Sequence, residues 1–157
     1  MTEARDDPRY RFWEAFLERA RLAGSPHATI PPSTEPFIER RQGQYTWIYR
    51  AHEHDASIEL YVNGFSNRGN VVFFAELQKH RDEVELEYGG PLMWDQAEGR
   101  KYLKVWTPIS GGGYGDVKAW PQLHDSMVNS MTRLISSLRP HLATASLTAQ
   151  GFEVLGR

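Results

Sequence analysis

Two acids four residues apart, Asp55 and Glu59, mark the first place in this 157-residue chain where hydrolytic chemistry could be built. Paired carboxylates can hold a divalent ion such as Mg2+, and the ion activates a water for attack on a phosphodiester. Sites of this kind carry Glu-x-Lys on the second strand, with the lysine orienting the water. Here the residue two beyond Glu59 is Tyr61, which supplies neither positive charge nor comparable ligand strength. Glu59 therefore reads first as the polar face of a strand, and a Mg2+-dependent nuclease using Asp55 and Glu59 stands as the alternative. His52-Glu53-His54-Asp55 is a second constellation. If it lies on a strand, residues 52 and 54 share a face and both imidazoles can reach one metal. Two histidines are half a site, however, and a solvated turn is the simpler reading.

Gly111-Gly112-Gly113-Tyr114-Gly115 lies between a strand pattern and a helix pattern, where phosphate loops occur. It lacks the Gly-Lys-Ser/Thr ending that grips phosphate and magnesium, so it reads as a flexible connector spanning about 109–117. A small-ligand module with its pocket beside this loop is a further alternative. Arg100, Lys101 and Lys104 alternate with Tyr102 and Trp106. Bases interleaved with aromatics can track a nucleic-acid backbone and stack a base. Strand alternation sets Lys101 with Leu103 and Val105, and Lys104 with Tyr102 and Trp106, which divides the charge between two faces. No Gly-x-Ser-x-Gly elbow positions a serine nucleophile, and His124 and His141 read as helix-surface or capping residues.

Composition narrows the field. Cysteine is absent, which excludes disulfide frameworks, thiol nucleophiles and Cys-ligated zinc, and agrees with a reducing cytoplasm. The net charge of −2 gives no global basic signature for nucleic acid. Residues 51–98 hold ten acids against Arg68, Lys79 and Arg81, whereas from Gly99 onward seven bases face Asp116, Asp125 and Glu153. Met1 to Arg11 is charged rather than signal-like, and no apolar run reaches the ~20 residues a membrane helix needs. A soluble cytoplasmic protein is expected.

The elements that must position these residues follow from periodicity. Asp6, Asp7 and Pro8 open a helix whose apolar stripe is Phe12, Trp13, Phe16, Leu17 and Ala20, and Gly24-Ser25-Pro26 stops it. A proline-rich connector leads to strands at Phe37 to Arg41, Tyr45 to Arg50 and Ser57 to Val62, the last alternating on a period of two. A second helix carries Phe74, Leu77, Val84 and Tyr88 on one stripe and ends at Gly89-Gly90-Pro91. Strands around Leu92 to Trp94 and Tyr102 to Trp106 follow. A last helix opens near Pro121, with Leu123, Met127, Met131, Leu134 and Leu138 on its stripe. Pro140 should end or kink it, leaving a tail over about 143–157. The expectation is one α+β domain over 1–157, a mainly antiparallel sheet of about four to five strands with three helices in the order α-β-β-α-β-β-α.

That order is close to the restriction-endonuclease-like nuclease core, which motivates the Asp55–Glu59 alternative. The chain also resembles the bacterial "domain of unknown function 4268" family. The resemblance rests on Arg9-Tyr10-x-Phe12-Trp13-x-x-Phe16-Leu17, Ile58-Glu59-Leu60-Tyr61-Val62, Phe74-x-x-Leu77 with Val84-Glu85, Gly89 and Leu92-x-Trp94, and Trp120 with Leu138-x-Pro140. It departs from the family pattern at Tyr102-Leu103-Lys104-Val105, where a more polar segment is usual. The resemblance implies a neighbourhood, restriction or defence against foreign DNA, and no particular reaction. The primary expectation is a non-catalytic accessory or interaction domain without a cofactor, whose partner is another protein or, through Arg100, Lys101 and Lys104, a nucleic acid.

Overall fold

The computed structural model describes residues 2–96 and 103–155. Among them are five helices, α1 (Thr2–Asp6), α2 (Pro8–Leu22), α3 (Asn67–Gln78), α4 (Arg81–Tyr88) and α5 (Trp120–Leu155). Five strands, β1 (Phe37–Gln42), β2 (Tyr45–Ala51), β3 (Ala56–Val62), β4 (Met93–Gln96) and β5 (Leu103–Ile109), form one antiparallel sheet in the order β1-β2-β3-β5-β4. The class is α+β. β5 rather than β4 lies beside β3, so β4 takes the edge, with Trp94 opposite Val105 and Asp95 opposite Lys104.

Local chemistry sets the helix ends. Asp7 caps α2 by accepting from the Arg9 amide at 2.8 Å, and Pro8 fills the first turn, where a missing N–H costs nothing. The Arg9 guanidinium on the same carboxylate holds its pKa below the usual value. Ser66 caps α3 through the Gly69 amide at 3.0 Å. The expected second helix is in fact two, because the chain tightens at Lys79 and His80 before restarting at Arg81. Asp82 and Glu83 in the new first turn favour that restart through the helix dipole. The apolar stripe passes through the break unchanged, so periodicity alone does not reveal it.

Residue contacts gather into two compact units. The first comprises Met1–Arg40, Trp47–Ile58 and Thr107–Thr132. Its core is aromatic: Phe16 meets Tyr49 edge-on at 4.6 Å, and Phe12 meets Trp120 at 5.4 Å. The Trp13 indole donates to the Glu35 carbonyl at 2.8 Å, which fastens the proline-rich connector. The glycine loop, expected to be flexible, is instead hydrogen-bonded to the β2–β3 turn. Tyr114 N donates to His52 O at 2.9 Å and Gly115 N to Glu53 O at 2.8 Å. A Cβ on Gly113 would overlap the His52 carbonyl oxygen, so the glycine serves close backbone approach.

The second unit comprises Arg41–Thr46, Glu59–Trp106 and Arg133–Arg157. Leu60, Phe73, Phe74, Leu77, Val105, Leu134 and Leu138 are buried there, and each such side chain contributes about 1.5–3 kcal/mol. Gly89, at φ +98°, ends α4 in the left-handed conformation. Arg133 donates to the Tyr88 carbonyl at 3.0 Å beside it. Pro140 does not end the last helix. The residues expected as a tail are helical as far as Leu155, and Leu142, Ala145 and Ala149 continue the buried stripe. Proline removes one backbone donor, and burial of the following turns offsets that loss.

Candidate functional site

Within the second unit, alternation along β3 turns Leu60 and Val62 to the core and leaves Glu59 and Tyr61 on the opposite face. Glu59 is nevertheless 1% exposed. On β5, Leu103 and Val105 are buried, while Lys104 and Trp106 are half-buried on the alternate face. The Lys104 ammonium reaches Glu59 Oε2 at 3.4 Å and lies 5.2 Å from the centre of the Trp106 ring. Register then places Asp95 of β4, which is exposed, directly beside Lys104. The result is a row across three strands in which a base stands between two acids.

This row supplies the lysine that the sequence near Glu59 lacks, since Lys104 arrives from a strand more than forty residues away. Among the described residues, no group of three metal-ligating side chains includes Glu59. Asp55 lies in the exposed β2–β3 turn, outside the strand that carries Glu59. Asp95 is two strands from Glu59, about 10 Å between backbones, with an ammonium between them that repels a second cation. The geometry suits a buried ion pair under an aromatic lid.

The remaining candidates fall in different places. His52 and His54 lie in the turn between β2 and β3, not on a strand, so the same-face argument for a shared metal fails. Both are exposed; His54 Nε2 approaches Glu53 at 3.8 Å, and neither joins a three-residue metal-ligating group among the described residues. Arg100 and Lys101 lie outside the described residues. The glycine loop borders a cavity of about 270 Å³ lined by Ser110, Gly111, Ala119, Gln122, Leu123 and Ser126. That is below the roughly 300–1,000 Å³ usual for ligand pockets. Sequence reasoning missed two groupings, the cross-strand Glu59–Lys104 pair and a cluster of His80, Glu83 and His141. The second carried one local signal, the His80-x-x-Glu83 spacing at a helix start; His141 was invisible as its partner.

The family model "Domain of unknown function (DUF4268)" matches residues 8–142. That span runs from the first turn of α2 to beyond Pro140 and includes all five strands. The chain belongs to the DUF4268 family. No curated protein and no solved structure matches it. No helix among the described residues is long and apolar enough to cross a membrane.

Proposed function

We propose that this chain is a non-catalytic accessory or interaction domain that serves bacterial restriction of foreign DNA in the cytoplasm, with a protein as its partner. The observation that carries the reading is the state of Glu59. It is the acid a nuclease would need on this strand, yet it is 1% exposed and engaged by Lys104. The same pair argues for a protein partner over a nucleic acid, because the Lys104 ammonium faces a carboxylate and the net charge is −2. A protein of this charge binds phosphate only through a local patch.

The test is incubation of the purified chain with supercoiled and linear DNA in Mg2+ and in Mn2+. Intact DNA is expected. Cleavage that disappears in Glu59→Gln would overturn the reading and put a nuclease in its place. In the same samples, binding to DNA and RNA from low to physiological salt should be weak or absent. If binding is tight and Arg100→Ala/Lys101→Ala lowers the log–log salt slope by about 0.7–0.9 for each contact removed, the partner is nucleic acid.

A further inference from the structure

His80 stands at the N-cap position of α4, yet its ring makes no capping hydrogen bond. The opening turn of that helix places Glu83 three residues on, and residues at this spacing share a helix face. His80 Nδ1 lies 3.9 Å from Glu83 Oε2. From α5, His141 brings its Nε2 to 3.8 Å from the same oxygen. The two imidazoles lie flat on one another, with centroids 4.2 Å apart and planes 18° from parallel. One ligand atom from each side chain falls within 4.8 Å of the others, and no second group of three such residues occurs among the described residues. We propose that His80, Glu83 and His141 form a binding site for a divalent transition-metal ion, zinc above all.

The donor set selects the class of ion. Imidazole nitrogens suit zinc, nickel and copper, whereas magnesium and calcium favour sites built from oxygen alone. Two histidines and one glutamate are also a ligand set of catalytic zinc, which keeps its fourth position for water or substrate. Zinc bonds of about 2.0–2.1 Å in a tetrahedron set ligand atoms roughly 3.4 Å apart. The two histidine–Glu83 gaps, 3.9 and 3.8 Å, need to close by about half an ångström and the widest donor separation, up to 4.8 Å, by more; Glu83, 72% exposed, is free to follow. Both nitrogens already face one carboxylate oxygen, and because imidazole lone pairs lie in the ring planes, the stacked rings turn apart to meet one ion. Binding ties the first turn of α4 to α5.

The experiment uses the tag-free chain, stripped with a chelator, then titrated with ZnCl2 by calorimetry and with CoCl2 by visible absorption. Wild type should take up one ion per chain, and its Tm should rise with zinc. His141→Ala and Glu83→Ala should each weaken binding by about tenfold or more, while His52→Ala/His54→Ala binds as wild type. Glu83 is exposed, so its variant keeps the fold even if His141→Ala does not. No saturable uptake by wild type overturns the proposal. So does undiminished binding by Glu83→Ala, or a loss of binding confined to the His52/His54 variant.

Discussion

In the first unit His27 and His124 each pack against aromatic rings. His27 faces Tyr49 at 4.6 Å, with its Nε2 on the Trp47 carbonyl at 2.9 Å, and His124 faces Phe12 at 4.5 Å. In the second unit His80 and His141 face each other and share a carboxylate. Burial pushes His27 and His124 down to about 4. Burial and the neighbouring His80 lower His141 as well, but there Glu83 pulls the other way. The contrast extends to the other polar groups. The first unit keeps its buried polar groups neutral and packs backbone on backbone at Gly113. The second buries a charge, Glu59, against a cation. Desolvation disfavours the charged imidazoles of the first unit, whereas in the second the buried Glu59 carboxyl is given an ammonium partner.

The largest expected effect separates these outcomes by pH. The folded-state pKa values of His27 and His124 lie below the ordinary 6.5, at about 4. The unfolded chain therefore binds more protons across that window. Their stabilisation is complete above about 6.5 and is lost as pH falls toward about 4, by at most ~3 kcal/mol for each histidine. Denaturation midpoints measured across this range should fall steeply, and His27→Gln/His124→Gln should flatten the slope. A midpoint independent of pH in wild type would show that these rings are not dry.

A smaller effect tests the charged unit. Lys104→Met removes the ammonium from a carboxylate that is 1% exposed. The loss should be roughly 2–4 kcal/mol, at or below the range for stripping a partner from a buried charge, because Lys104 itself is partly exposed. Glu59→Gln/Lys104→Met should recover part of it, and the double-mutant cycle measures the coupling. Additive losses would mean that the pair contributes nothing as a pair. Smaller still, Gly113→Ala forces a methyl against the His52 carbonyl, and overpacking of this kind costs about 1–3 kcal/mol. Gly112→Ala is the control, having no neighbour within 4 Å but a φ of +93°. A larger loss at Gly112 than at Gly113 would make backbone conformation, not close approach, the reason for glycine in this loop.

Much of this architecture was legible in single segments. Asp7-Pro8 announces a helix start, since a side-chain acceptor and a residue without an N–H suit the first turn and little else. Trp13, Phe16, Leu60, Phe74, Leu77, Met127, Met131 and Leu134, all on apolar stripes, are buried, while Trp94 is only half-buried at the edge strand. The break between α3 and α4 was not legible, because no glycine or proline marks it and the stripe runs on. Continuation of α5 past Pro140 was not legible either. Whether a helix survives a proline depends on what the turns beyond it bury.

The sequence by itself determined the periodicities, the helix caps and the class of sheet, because these depend on neighbours within a few residues. It also determined which chemistries lack parts: no thiol, and no Glu-x-Lys on the strand of Glu59. Tertiary structure alone decided which distant groups meet. Lys104 reaches Glu59 only because β5 pairs with β3 instead of leaving that edge to β4. His141 meets His80 and Glu83 only because α5 runs on through Pro140. An ion pair or a ligand set across such separations leaves no periodic trace, since its energy depends on distances in space that strand order and helix packing set, and not on spacing along the chain.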